Sequence, residues 1–175
     1  MDKTEDVKAL LEGYHITTDI PDEEAMHNIL KVITDVSFYA PTLTIAHAWP
    51  KSTFVYHFNE KNPWDGPFKG EASHVLDIAF LFQNYNEKLD AAQASSGMQF
   101  AVDFVSFVNG EDPYPLHDLQ HGGAQVYGIP SPGNVNFVKS TDAKDYGRRN
   151  LVWQLESQIG LDRLAMAMDM FIAGF

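Results

Sequence analysis

The residue with the strongest claim to chemistry is His74. It follows a loop, residues 59 to 70, that carries Asn62-Pro63-Trp64-Asp65-Gly66-Pro67. An apolar run from Val75 to Phe82 comes after it. Ahead of the loop stands Thr53-Phe54-Val55-Tyr56-His57-Phe58, whose β-branched and aromatic residues predict a buried strand. Open α/β enzymes place catalytic side chains beyond the carboxyl end of a strand, which is where His74 falls. The plainer reading is that Ser73 or His74 only starts a helix. Glu71 and Asp77 lie three residues to either side, and either could orient an imidazole.

A histidine base needs a nucleophile. The chain has no cysteine, which excludes thiolate nucleophiles, disulfides and cysteine-ligated zinc. A serine nucleophile in an α/β-hydrolase sits in a G-x-S-x-G elbow, and no serine here has that context. The nearest approach, Gln93-Ala94-Ser95-Ser96-Gly97, has Gln where the first Gly belongs and follows a polar segment. The only Gly-Gly pair, Gly122-Gly123, is downstream of His74, so no lipase-type oxyanion loop precedes it. The α/β-hydrolase order is serine, acid, histidine. If His74 is that histidine, both partners belong before it.

Six other histidines are present. His117 and His121 sit four apart and could hold a metal on a helix. Gly122, Gly123 and the nearby prolines argue against one, and no third ligand is near, so neither a metal site nor a cofactor is expected. His27 belongs on a helix surface and His15 in a loop. His47 suits a core position in an apolar helix. His57 alternates with Tyr56 and Phe58.

The elements that must position these residues are mostly helical. Residues 3 to 13 predict a short helix with Val7, Leu10 and Leu11 on one face. Pro21-Asp22-Glu23-Glu24 is a strong helix start. Ala25, Ile29, Val32, Ile33 and Val36 continue it at helical spacing. Pro41 is expected to interrupt, with a second apolar helix from about Thr42 to Trp49. Ala91 to Val108 predicts a helix closed by Asn109-Gly110. Glu111 to Gly133 suggests a long surface loop, and Val135 to Val138 a small strand. Arg148 to Gln158 and Leu161 to Ile172 predict two closing helices jointed at Gly160. A lone strand at residues 53 to 58 cannot satisfy its own backbone, which implies a sheet with strands outside this sequence.

Composition narrows the class. The 175 residues suit one domain, here residues 1 to 175, and 45% apolar with 21% charged is globular. The 12 Phe, 7 Tyr and 3 Trp argue against disorder. A net charge of −12 repels nucleic acid and anionic membrane surfaces, so no nucleic-acid partner is expected. No apolar run approaches about 18 residues, which predicts no membrane span. The start, Met1-Asp2-Lys3-Thr4-Glu5-Asp6, is not a signal peptide, and the compartment stays open between cytoplasmic and secreted.

The run Tyr56-His57-Phe58-Asn59-Glu60-Lys61-Asn62-Pro63-Trp64-Asp65-Gly66-Pro67, continued by Gly70 through Asn84, resembles the catalytic-histidine region of type B carboxylesterases. These are the cholinesterase-like branch of the α/β-hydrolases, and the fungal members look most similar. In that family a Gly-containing loop leads to a His, then an acid, an apolar residue and a Phe-x-Phe. Here these are His74, Asp77, Ile78 and Phe80-Leu81-Phe82. Asp35 to Pro41 resembles the family's helix before the penultimate core strand. Phe100 to Pro113 resembles its helix after the histidine, and Gly160 to Phe171 its closing helix.

The resemblance implies an α/β fold, the C-terminal part of an α/β-hydrolase with an incomplete sheet. It implies a carboxylic-ester hydrolase, acting on a small-molecule or lipid ester, in which His74 is the triad histidine. Serine elbow, oxyanion loop and acid would belong upstream of residue 1, so the chain alone is expected to be inactive. Trp64 and Phe68 lie in the loop that resembles a pocket wall, where they would line a substrate pocket or simply pack the surface loop. Two other readings are an interaction module associating through an exposed sheet edge, and a truncated gene product.

Overall fold

The computed structural model describes residues 8, 10–118, 120, 122–142 and 146–173. In chain order the helices are α1 (Asp22–Thr34), α2 (Ala40–Ala48), α3 (Leu76–Leu81), α4 (Ala91–Val108), α5 (Tyr146–Ile159) and α6 (Leu161–Ala173). The strands are β1 (Tyr56–Phe58), β2 (Ala124–Tyr127) and β3 (Val135–Val138). The fold is thus mixed α and β. Two compact units form, Met1–Ala48 with Lys144–Phe175, and Trp49–Ala143. Of the predicted helix over residues 3 to 13, Leu10 to Gly13 are helical, and Val7 lies outside the described residues.

The first unit is helical. Pro21 precedes α1, and Asp22, Glu23 and Glu24 occupy its first turn, where the helix dipole favours acids. Pro41 does not break the chain here. A π-turn over Asp35–Tyr39 joins α1 to α2, and the helical stretch runs on from Asp22 to Ala48. Widening the turn just before Pro41 accommodates a ring that would clash with the preceding turn and a missing N–H. The two pieces expected from sequence therefore fuse into 27 residues, long and apolar enough to span a membrane by length and composition alone. Its buried residues Val32, Val36 and Ala40 pack with Tyr14, Val152 and Leu155, as a core helix does. His47 is exposed rather than in the core, stacked near Trp153 with ring centroids 6.3 Å apart.

Asp35, in the π-turn, is fully buried and carries the unit's main polar knot. Its Oδ2 accepts from the Tyr14 hydroxyl at 3.0 Å and from Arg148 Nε at 2.9 Å. Its Oδ1 accepts from Arg149 Nε at 3.2 Å. The Arg149 guanidinium lies 4.4 Å from the centre of the Tyr39 ring. Burial, and then the charge of Asp35, hold the Tyr14 phenol far above its ordinary range.

The second unit is a three-stranded open sheet, order β1-β2-β3, with α3 and α4. β1 runs parallel to β2, Tyr56 opposite Gln125 and Phe58 opposite Tyr127. β3 runs antiparallel to β2, Val135 opposite Tyr127. The stretch expected as a long loop, Glu111 to Gly133, therefore contains the central strand. The predicted six-residue strand shortens to three, although Gln125 N–H still donates to Val55 and His117 N–H to Thr53. β1 is not a lone strand either, since β2 is its partner within the chain. Its other edge has no neighbouring strand among the described residues. Phe80, Phe100, Leu76 and Tyr127 form the buried core of this unit, with Phe58 packed on it. Asp90 caps α4, accepting from Gln93 N–H at 2.8 Å.

Candidate active site around His74

His74 is exposed in a tight turn between the loop that leaves β1 and the first residue of α3. Leu76 N–H donates to Ser73 C=O at 3.2 Å and closes that turn. Val75, at φ 58° and ψ 9°, is left-handed. A β-branched residue in this region costs about 1–2 kcal/mol. Strain of this kind persists only where surrounding contacts enforce it, and it clusters at functional sites. The enforcing contacts are visible on both sides of α3. Leu76 and Phe80 are buried in the core. Asp77 Oδ2 accepts from the Tyr56 hydroxyl at 3.1 Å, which ties the first turn of α3 to β1. Burial, and then the Asp77 charge, push the Tyr56 phenol up to about 12. Val75→Gly is expected to raise the urea midpoint, because relief of about 1 kcal/mol of strain outweighs the extra backbone freedom of glycine. A lower midpoint would mean that Val75 contributes more by packing than its conformation costs.

The loop that delivers His74 is pinned at its base. Asn62 N–H donates to Glu71 C=O and Gly70 N–H to Asn62 C=O, both at 2.9 Å. Just before it, Glu60 is fully buried. Glu60 Oε1 accepts from Gly133 N–H at 2.8 Å, which locks the exit of β1 to the β2–β3 connection. Gln93 Nε2 donates to Lys61 C=O at 2.6 Å and adds the start of α4 to the same joint. Glu60 Oε2 and Ser96 Oγ are both buried and make no hydrogen bond of ordinary geometry among the described residues.

Burial is the largest influence on Glu60 and lifts its carboxyl above the ordinary range, against the opposing pull of the Gly133 amide. The native state therefore keeps this proton at pH values where the unfolded chain has lost it. The resulting stability is full below the unfolded-state pKa, about 4.3, and is lost as pH rises through the raised native value. Glu60→Gln keeps an acceptor for Gly133 and removes the titration. We expect the variant to show a flatter fall in urea midpoint as pH rises above about 4. An unchanged pH profile would assign that fall to other groups.

Asp77 is committed to Tyr56, and Glu71 is exposed. Trp64 packs against the core, edge-on to Tyr85 at 5.6 Å, whereas Phe68 is exposed. Ser95 is exposed on α4, in helix rather than at a strand-to-helix elbow. His117 is buried, with Nδ1 2.8 Å from Gly123 C=O, and His121 lies outside the described residues. No cluster of three or more potential metal ligands occurs among the described residues. Sequence reasoning missed Tyr56 and Glu60. Alternation along β1 puts Tyr56 and Phe58 on one face, which was the available signal for Tyr56. Nothing local marks Glu60, whose partner Gly133 is 73 residues away.

Comparison of the chain with protein-family models, with curated proteins and with solved structures returns no match.

Proposed function

We propose that this chain carries the general-base histidine of a carboxylic-ester hydrolase of the type B carboxylesterase class, as the C-terminal portion of an α/β-hydrolase fold. The observation that carries the reading is the placement of His74. It is exposed, follows a parallel strand and its loop, and adjoins a strained left-handed residue braced by Tyr56 and Asp77. In this role His74 takes the proton of a serine hydroxyl and returns it to the departing alcohol. The segment from Tyr56 to Asn84 supports the same role through its resemblance to the family.

A base without a nucleophile and oxyanion donors has nothing to activate. The chain by itself is therefore expected to show no turnover of a p-nitrophenyl ester and no labelling by a fluorophosphonate. Labelling of one of its own serines would sink this reading. The substrate is an ester, small or lipid, whose pockets are built largely by residues this chain does not supply.

One observation favours a second reading, an interaction module. β1 lies at the edge of the sheet, and Tyr56 on it is exposed, so another chain could add a strand there. Size-exclusion chromatography with mass detection separates the two, since a defined oligomer favours the module and a monomer disfavours it.

A further inference from the structure

We propose that the outward face of α4 is a dimerisation seam, covered in solution by α4 of a second copy of this chain running antiparallel to it. The buried side of α4 is set by Gln93, Ser96, Gly97, Phe100 and Asp103. Half a turn away, at about 3.6 residues per turn, stand Ala91, Ser95, Met98, Val102 and Val105, with Asn109 just past the helix end. All six are exposed, Met98 by 53%, Val102 by 50% and Val105 by 57%.

This face differs from a solvated one. Asp103 is the one charged residue among the 18 of α4, and it is buried against the Tyr127 hydroxyl. A surface helix ordinarily sets charged residues opposite its buried stripe. Exposed aliphatic side chains on a face free of charge are the signature of an interface centre.

The spacing identifies the occupant. The intervals between the six positions are four, three, four, three and four. This is the alternation with which one helix seats against another in a coiled-coil seam. The order reads the same in both directions. A second α4 laid antiparallel, across a two-fold axis level with Phe100, therefore matches it position for position. Met98 meets Val102 of the second copy, and Ser95 meets Val105 of the second copy, a small side chain against a larger one. Such a contact is isologous and closes at two copies. The helix is about 27 Å long and about 10 Å across, so one seam buries less than the roughly 800 Å² per partner of a standard interface. The dimer is accordingly weak, dissociating at about ten to several hundred micromolar. It needs neither His74 nor the free edge of β1.

The test is sedimentation equilibrium of the full chain from about 5 to about 500 μM, a range that brackets such an affinity. We expect the average mass to rise from one copy toward two. Val102→Glu, at an exposed position, sets two carboxylates near the axis and should weaken association by about tenfold or more. The chain has no cysteine, so introduced thiols report the register without background. Ser95→Cys combined with Val105→Cys should cross-link two copies under a mild oxidant. Ser95→Cys alone should not, because antiparallel register holds its two sulfurs about 15 Å apart along the seam. A monomer at every concentration would overturn the proposal. So would a dimer that survives Val102→Glu, which would place the contact elsewhere, or cross-linking by Ser95→Cys alone.

Discussion

Asp35→Ala will cost the chain about 3–5 kcal/mol of stability, read as a fall in the urea midpoint. Asp35 is fully buried, and the Arg148 and Arg149 side chains that pair with it are only 19% and 15% exposed. Truncation leaves two guanidinium groups and the Tyr14 hydroxyl without their shared acceptor inside the helical unit. The cost is that of stranding charges, not the net worth of the ion pair, which desolvation largely offsets. Asp35→Asn keeps the volume but not the charge and should fall in the same direction. Against a total stability of about 5–15 kcal/mol for a typical domain, either loss is large. A change below about 1 kcal/mol would mean that water reaches the cluster and screens it as at a surface.

Gly128→Ala should be nearly as damaging, by about 3 kcal/mol or more, through backbone rather than charge. Gly128 has φ +92°, and a Cβ there would stand 2.5 Å from the Glu60 backbone nitrogen and 2.6 Å from the carbonyl carbon and oxygen of Asn59. No rotamer change relieves contacts with main-chain atoms, so the exits of β1 and β2 must separate. Asn59 N–H donates to Tyr127 C=O at 2.8 Å and resists that separation, while Gly128 N–H donates to Asn134 C=O at 2.7 Å and holds Gly128 against the start of β3. The disturbance falls at the root of the loop that carries His74. Gly147→Ala is the control, because it sits in α5 with nothing within 4 Å of an added Cβ, and it should be neutral or slightly stabilising. Equal midpoints for the two variants would show that the joint at Gly128 is not tightly packed.

What could be read from sequence was set by local periodicity. The acidic start at Pro21, the spacing of Phe100, Phe104 and Val108, and the joint at Gly160 each declare a helix within one or two turns. β3 was legible for a similar reason. β2 was not, because Ala124 to Tyr127 is four residues set between Gly122-Gly123 and Gly128-Ile129-Pro130. Its strand character comes from pairing on both sides, which no local pattern reveals. Pro41 misled because a π-turn absorbed it. At the site, His74 was legible from the strand, loop and apolar run around it. Its bracing was not, since the Tyr56–Asp77 bond spans 21 residues and the Glu60–Gly133 bond 73.

His74 is proposed to serve as the base of an ester-hydrolase site completed by other residues. The most direct measurement mixes this chain with a type B carboxylesterase cut just before its histidine-bearing segment, then follows p-nitrophenyl butyrate hydrolysis. Turnover is expected only with both pieces present. His74→Ala, shown by circular dichroism to be folded, is expected to lower that turnover by about a thousandfold or more. Restored turnover that survives His74→Ala would rule out this role for His74, and so would a mixture that forms a complex and stays inactive.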